Sequence, residues 1–269
     1  MTRAPRRLVL IGHPVAHSLS PVMQRAALRA AGIDASYELC DVAPADLAST
    51  MRRLGVAGVA GNVTVPHKEA VFRLCTRASA IARRVGAVNT FWAEDEALVG
   101  DNTDVGGFSN AVTRLRGARL EGSRVALLGA GGAAAAVLAA VSEWGGCTVR
   151  VWNRTPSRAE ALVARFPGVA VRASSAADAV IGATLVVNAT TIGLADDAMP
   201  TAPDVLPSGA DVMDLVYRRG ETAWVRAVRA RGHRAADGLV MLVEQGALAF
   251  ERWFHRPADR AAMWNAVGS

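Results

Sequence analysis

The chain has 269 residues, of which 51% are hydrophobic, 20% charged and 5% aromatic, and its formal net charge is +6. A chain of this size and apolar content can fill two hydrophobic cores, so we expect a globular protein with two domains of unequal size. The basic residues are scattered and few aromatic rings are available to stack on bases, which disfavours a nucleic-acid-binding protein.

Three further patterns argue against other protein classes. The apolar run after Arg7 is too short for an export signal, so we expect none. The uncharged stretch 125–142 is as long as a membrane span, but its glycines and alanines favour a strand, a turn and a buried helix. The three cysteines are widely spaced without a zinc-ligand pattern. We therefore expect no disulfide framework, no metal site and a reducing cytoplasmic location.

The first hundred residues alternate short apolar runs with helical patterns. The runs at residues 8–11, 37–42 and 61–65 predict strands, and the patterns at residues 21–31 and 44–54 predict helices. Such alternation is typical of an α/β domain with a parallel sheet.

Three polar clusters interrupt these apolar segments, at residues 17–21, 61–68 and 86–90. Each of them follows, ends or begins a predicted strand. Ligands bind at strand ends in open α/β sheets, and hydroxyls, amides and one amine suit a small polyhydroxylated substrate. Helix capping would explain Ser18 or Ser20 equally well, taken alone.

Lys68 is the one lysine among 30 basic residues, the others being arginine. A guanidinium does not lose its proton in a protein whereas an amine can, so Lys68 is a candidate acid/base group, although chance retention explains it equally well. His13, His17 and His67 are the rival proton carriers. Nothing in the sequence pairs them into a triad or a metal set, and we interpret them as structural.

The second half of the chain repeats the α/β alternation. Strands are predicted at residues 125–128, 149–152, 185–188 and 212–216, and helices at residues 106–115, 133–143, 157–166 and 222–231. A polar passage at 114–124 precedes the most apolar strand. We therefore expect a second domain that begins near residue 106, within a connecting helix.

The strand at 125–128 runs into G-A-G-G-A-A at 129–134 and then into an alanine-rich helix, an arrangement that holds a pyrophosphate. Gly129 permits a tight turn, Gly131 removes a side chain that would block the phosphates, and Ala134 lets helix and strand pack closely. The residues expected to bind the cofactor here are Gly129, Ala130, Gly131, Gly132 and Ala133.

The next strand ends at Asn153, Arg154 and Thr155, roughly 20 residues beyond the glycines, where a dinucleotide fold reads the adenosine 2′ position. A carboxylate there would repel a 2′-phosphate. Asn153, Arg154 and Arg158 instead offer donors and positive charge, which predicts NADP rather than NAD. The alternative is that both arginines are surface charges at a solvated helix start.

These clusters, together with further motifs, closely resemble the shikimate dehydrogenase family. The motifs are H-S-L-S-P at 17–21, N-V-T-V-P-H-K at 62–68, G-A-V-N-T at 86–90, D-N-T-D at 101–104, G-A-G-G-A at 129–133, N-R-T at 153–155, N-A-T at 188–190, D-L-V-Y at 214–217 and M-L-V-E-Q-G at 241–246. Many motifs in one order are more specific than any single motif, and they cover nearly the whole chain.

The resemblance implies a two-domain α/β fold. An N-terminal α/β substrate-binding catalytic domain would comprise residues 1–105 and 239–269, the C-terminal helices returning to it, and a Rossmann-like doubly wound NADP-binding domain would comprise residues 106–238. The implied reaction is the reversible reduction of 3-dehydroshikimate by NADPH to shikimate, in the pathway to chorismate and the aromatic amino acids. A monomer and a homodimer both remain open.

The resemblance also assigns individual residues. Lys68 and Asp104 match the catalytic pair. The implied substrate contacts are Ser18, Ser20, Asn62, Thr64, Asn89, Tyr217 and Gln245. The cofactor contacts that it adds to those already named are Thr190, Val216 and Gly238.

The chain departs from the family pattern at four positions, which carry Gln24, Arg25, Ala135 and Arg219. These departures leave room for a relative that acts on quinate or on an amino analogue of shikimate. A non-catalytic NADP-binding sensor on the same fold is the alternative from a different class, but the retained lysine and aspartate disfavour it.

Overall fold

The structure is a computed structural model, and it describes residues 4–95, 97–117, 121–218 and 220–268. The chain divides into a first unit, formed by Met1–Gly107 and Leu242–Ser269, and a second unit, Phe108–Met241. Within the described ranges no helix is both long enough and apolar enough to span a bilayer.

Both units are α/β. The strands are β1 (Arg7–Gly12), β2 (Ser36–Asp41), β3 (Ala60–Val63), β4 (Arg77–Ala78), β5 (Thr90–Glu94), β6 (Ala97–Asp101), β7 (Arg124–Leu128), β8 (Thr148–Trp152), β9 (Ala170–Arg172), β10 (Leu185–Asn188), β11 (Asp211–Asp214) and β12 (Ala235–Ala236). The helices are α1 (Ser20–Ala30), α2 (Leu47–Val56), α3 (Lys68–Leu74), α4 (Ala80–Val85), α5 (Asp104–Arg116), α6 (Gly132–Ser142), α7 (Pro156–Val163), α8 (Ala176–Val180), α9 (Ala223–Arg229), α10 (Gly238–Phe254) and α11 (Arg260–Val267).

The first unit contains a six-stranded sheet in the order β2-β1-β3-β5-β6-β4. Its core includes Ile11, Met51 and Phe91, all almost fully buried. The C-terminal segment belongs to this unit, where α11 packs against α1. Strands β3 and β5 lie at the centre of this sheet.

The three strands predicted for this unit, β1, β2 and β3, pair in parallel. The hairpin of β5 and β6 was not predicted, and β5 pairs antiparallel with both β3 and β6. The turn between β5 and β6 contains Asp95 at φ 48° rather than glycine. Aspartate tolerates this left-handed conformation but does not mark a turn as clearly as Asn-Gly or Asp-Gly. The hairpin therefore has only a weak local signal.

The second unit contains a six-stranded sheet in the order β12-β11-β10-β7-β8-β9, and every pairing in it is parallel. From β7 the chain moves outward through β8 and β9, then crosses to β10 on the other side. The strand order thus reverses between β7 and β10, as in doubly wound dinucleotide folds. Helix α6 is buried from Ala134 to Val141.

Candidate functional site

The candidate catalytic residues lie beyond one end of the strands in the first sheet. Strand β3 ends at Val63, and the antiparallel strand β5 begins at Thr90, which pairs with Asp101 at the end of β6. The segments that follow β3 and β6 therefore begin at the same end of the sheet. Lys68 follows β3 by five positions and Asp104 follows β6 by three.

Lys68 and Asp104 form a direct ion pair. Lys68 Nζ donates to Asp104 Oδ2 at 2.7 Å. The lysine side chain is 18% exposed and the aspartate side chain 6%, so water screens their attraction less than it would at the surface. The Lys68 carbonyl also accepts a hydrogen bond from the amide of Val88 at 2.9 Å. The one lysine of the chain is therefore held by both backbone and side chain.

Asn89 connects this pair to the C-terminal segment. Its Nδ2 donates to Asp104 Oδ1 at 2.8 Å and also lies 3.0 Å from Thr103 Oγ1 and 3.2 Å from Gln245 Oε1. Its Oδ1 accepts from the Thr103 amide at 2.7 Å. Because Nδ2 carries only two hydrogens for three acceptors, a ligand oxygen can replace one partner.

Asn62 is fixed on both sides of its amide group. Its Oδ1 accepts from the hydroxyl of Tyr37 at 2.8 Å, and its Nδ2 donates to the carbonyl of Asn89 at 3.1 Å. Tyr37 is fully buried. The hydroxyl of Tyr37 therefore sets the orientation of a predicted substrate contact.

Ser18, Ser20 and Thr64 lie in loops or at a helix start beyond the ends of β1 and β3. The Ser18 hydroxyl accepts from the Ser20 amide at 3.2 Å, a local contact between residues two positions apart, and Ser20 is the first residue of α1. The Thr64 amide donates to Ile11 across the sheet at 2.8 Å. In the described ranges, the hydrogen bonds around Lys68 do not reach these three side chains.

Two of the residues that depart from the family pattern form hydrogen bonds within the first unit. Gln24 is fully buried, and its Nε2 donates to the Gly246 carbonyl at 2.9 Å, next to Gln245. Arg25 Nε donates to the Tyr37 carbonyl at 2.9 Å. Gln24 therefore holds the backbone next to Gln245, and Arg25 holds the backbone of Tyr37, the residue that bonds Asn62.

Two of the three histidines considered as rival proton carriers form hydrogen bonds outside the Lys68–Asp104 pair. The buried His67 pairs through Nε2 with the Val42 carbonyl at 2.7 Å. His13 Nδ1 lies 2.6 Å from Asp41 Oδ1, and this hydrogen bond holds the pKa of Asp41 below its usual range. Among the residues that the structure describes, no three potential ligands are grouped for a metal ion.

The glycine-rich turn of the second unit lies where the strand order reverses. Gly129 has φ 120°, and a Cβ atom there would lie 2.7 Å from the carbonyl oxygen of Ala189, so only glycine fits. The Gly129 amide donates to the Trp152 carbonyl at 2.7 Å. The turn therefore packs tightly against the segments after β10 and β8.

Gly131 differs from Gly129. A Cβ atom at Gly131 would meet no heavy atom within 4 Å. The next residue, Gly132, begins α6, whose first amides are available to an anion. With Ala130 and Ala133 flanking them, these residues leave an open cradle in front of a helix N-terminus, which fits a pyrophosphate.

A cleft of about 170 Å³ lies beside the ends of β8 and β9. Its lining includes Asn153 and Arg154, the residues expected from the sequence to read the adenosine 2′ position, and also Arg172 at the end of β9 and Ser174 beyond it. The remaining lining residues are Trp152, Pro156, Ala159 and Ala173. Thr155 is the N-cap position of α7, and Arg158 is exposed on its first turn, outside this lining.

A buried network joins the other predicted cofactor residues. Asn188 donates to Asp214 Oδ1 at 2.8 Å and accepts from the amide and hydroxyl of Thr190 at 3.0 and 2.7 Å. Asp214 Oδ1 also accepts from the Val216 amide at 3.1 Å, and the Val216 carbonyl accepts from Gly238 at 2.9 Å. The loops after β10, β11 and β12 are thus tied together.

Sequence reasoning did not assign a role to several of these residues. Asp214 joins two of the loops predicted to bind the cofactor, and burial raises the pKa of its carboxyl above the usual range. Its position in the D-L-V-Y motif was the available signal. Tyr37 and Arg172 had none, because a core tyrosine and a surface arginine look ordinary in a sequence.

Tyr217 belongs to the second unit, half-buried after β11, whereas the other predicted substrate contacts belong to the first. Ala135 is buried within α6. Arg219, the last of the departures, lies outside the described residues.

Three family models match the chain. Residues 10–91 match the shikimate dehydrogenase substrate binding domain, residues 111–193 match shikimate / quinate 5-dehydrogenase, and residues 238–267 match the shikimate 5′-dehydrogenase C-terminal domain. The matched segments lie in both units.

The chain is also similar to whole proteins. It is 41% identical over 258 residues to shikimate dehydrogenase (NADP(+)) of Mesorhizobium japonicum, covering 94% of this chain and 92% of that protein. It is 45% identical to the protein of the same name from Rubrobacter xylanophilus, with 96% and 94% covered. A crystal structure of shikimate 5-dehydrogenase from Thermus thermophilus with NADP(H) and shikimate is 41% identical, with a TM-score of 0.89 and 97% and 98% covered. The chain therefore belongs to the shikimate dehydrogenase family.

Proposed function

We propose that the protein catalyses the reversible NADP-dependent oxidation of shikimate to 3-dehydroshikimate, a step in the biosynthesis of chorismate and the aromatic amino acids. The observation that carries this proposal is the shielded ion pair between Lys68 and Asp104, within a chain of this family. When bound, NADP supplies the hydride acceptor, and NADPH the hydride donor in the opposite direction.

Lys68 is the proposed proton carrier. Reduction of the ketone builds negative charge on its oxygen, and an ammonium held there stabilises that charge and donates a proton. In oxidation the neutral amine accepts the hydroxyl proton. Asp104, whose Oδ2 lies 2.7 Å from Lys68 Nζ, holds the amine in place.

The polar side chains at this end of the sheet are the proposed substrate contacts. Asn89 and Gln245 meet at 3.2 Å beside Asp104, and Asn62 is oriented by Tyr37. Amides in fixed orientations suit hydroxyl groups of a ring substrate, since each amide both donates and accepts. We further propose Ser18, Ser20, Thr64 and Tyr217 as contacts, on the strength of their motifs.

The second unit has the features that a bound NADP requires. The open space at Gly131 fits the pyrophosphate, while Asn153, Arg154, Thr155 and Arg158 are the proposed readers of the adenosine 2′-phosphate. The loops that hold Thr190, Val216 and Gly238 are the proposed contacts for the rest of the cofactor.

The units correspond to proposed functional domains. Residues 1–105 and 239–269 would bind substrate, and residues 106–238 would bind NADP; the compact units change at 107/108 and 241/242. We propose a cytoplasmic monomer or homodimer.

A spectrophotometric assay tests the proposed function. The purified protein should form NADPH from NADP and shikimate, with much lower kcat/KM for NAD and for quinate. Higher kcat/KM with quinate or an amino analogue would assign the protein to a relative with another substrate. NADP binding with no turnover of any of these substrates would support a non-catalytic sensor.

A further inference from the structure

The cleft beside β8 and β9 contains a second arginine that the N-R-T motif does not include. Strands β8 and β9 are parallel neighbours, with Val151 paired to Arg172. The segments that follow β8 and end β9 therefore lie side by side, and both Arg154 and Arg172 line the cleft. We propose that Arg172 binds the adenosine 2′-phosphate of NADP together with Arg154, a step that rests on the proposed use of NADP.

The size and charge of the cleft fit one end of the cofactor. Sites that enclose a whole ligand measure about 300–1,000 Å³, so a cleft of about 170 Å³ suits a phosphate and the adjoining edge of the nucleoside. The described lining contains two guanidiniums and no carboxylate. Two cations beside one small cleft favour a dianionic ligand over a neutral ribose hydroxyl.

An acidic neighbour of Arg172 is compatible with this role. Arg172 Nε lies 3.4 Å from Glu160 Oε1 on α7, and the two side chains are 43% and 59% exposed. Ion pairs this exposed contribute little, because water and salt screen them. A guanidinium carries five N–H donors, so a single carboxylate contact at Nε does not exhaust it. The contact with Glu160 therefore leaves Arg172 able to bind a phosphate.

Arg172 differs in placement from Arg158, the second cation expected from the sequence. Arg158 is exposed on the first turn of α7 and does not line the cleft. Arg172 ends β9 and lines the cleft. Of these two arginines, Arg172 is therefore the one placed to reach a phosphate in the cleft.

Fragment binding separates the 2′-phosphate from the rest of the cofactor. The full chain and its Arg172→Gln variant would be titrated calorimetrically with adenosine 2′,5′-bisphosphate and with 5′-AMP, which differ only in that phosphate. We expect Arg172→Gln to weaken the bisphosphate about tenfold, as for one charged hydrogen bond, and 5′-AMP less than about twofold. The affinity of Arg172→Lys for the bisphosphate should lie between those of the unaltered protein and Arg172→Gln, since lysine keeps the charge but not the planar guanidinium.

Two further variants complete the test. Arg231→Gln removes an exposed arginine of the same unit and should change neither affinity. Arg154→Gln should weaken the bisphosphate selectively. If Arg154→Gln does so while Arg172→Gln does not, or if Arg172→Gln weakens both ligands equally, the role of Arg172 is overturned and NADP use stands. If the unaltered protein shows no preference for the bisphosphate, both proposals fall.

Discussion

Lys68 Nζ lies 2.7 Å from Asp104 Oδ2 although 36 positions separate the two residues in the chain. The hairpin of β5 and β6 brings Asp104 back to the end of the sheet from which Lys68 emerges. This geometry predicts that kcat depends on the negative charge of Asp104 and not only on the shape of its side chain.

The Asp104→Asn variant tests this dependence. Asparagine keeps the size of the side chain and a partner for Asn89, but it removes the negative charge beside Lys68. We expect kcat to fall by about 10²-fold or more, because general acid–base catalysis contributes about 10²- to 10⁴-fold. Asp34→Asn, at an exposed carboxylate of the same unit, should behave as the unaltered protein. Equal kcat for both variants would argue against a role for the Asp104 charge.

Gly131 and Gly129 should respond differently to substitution. Gly131 has extended backbone at φ −96° and open space, so Gly131→Val should fold normally yet lose NADP binding. Gly129→Ala should instead lower the free energy of unfolding by about 1–3 kcal/mol, because of its φ of 120° and its close approach to Ala189. Thermal melts and NADP titrations measure both. Unchanged NADP affinity in folded Gly131→Val would remove this turn from the cofactor site.

Arg154 should contribute to the choice of cofactor. Arg154→Ala removes a charge from the cleft that fits the 2′-phosphate, which should cost about 1.5–3 kcal/mol for NADP and little for NAD. The kcat/KM values for the two cofactors give this difference directly. A loss of the same size with both cofactors would mean that Arg154 supports the fold or the chemistry instead.

The single lysine makes chemical modification unusually specific. An amine-acylating reagent can modify only Lys68 and the chain N-terminus, and acylation removes the charge and the titratable proton. We expect activity to fall in step with acylation of Lys68 measured by mass spectrometry, and shikimate to slow both. Full activity in protein acylated at Lys68 would exclude the proposed role.

The glycine turn and the N-R-T segment could be predicted from sequence because short-range geometry determines them. A strand, a turn with φ above zero and a helix N-terminus are consecutive in the chain, and Gly129 is at the expected position. The short contact between Gly129 and Ala189, by contrast, depends on the neighbouring strand β10 and leaves no local trace.

The ion pair could be expected only from the family motifs and the lone lysine. Its geometry depends on the β5–β6 hairpin, whose turn lacks the usual glycine, so local pattern did not reveal it. Arg172 was missed for a related reason. Its place beside Arg154 follows from the pairing of β8 with β9, and strand pairing is a long-range property that a single arginine does not encode.

Steady-state kinetics of Lys68→Arg test the central claim most directly. Arginine keeps the positive charge beside Asp104 but cannot take part in proton transfer at neutral pH. If Lys68 is the proton carrier, Lys68→Arg and Lys68→Ala should both lower kcat by about 10²- to 10⁴-fold, with NADP affinity little changed. A folded Lys68→Arg variant with near-normal kcat and an altered KM for shikimate would contradict the account, because it would show that Lys68 acts through its charge alone.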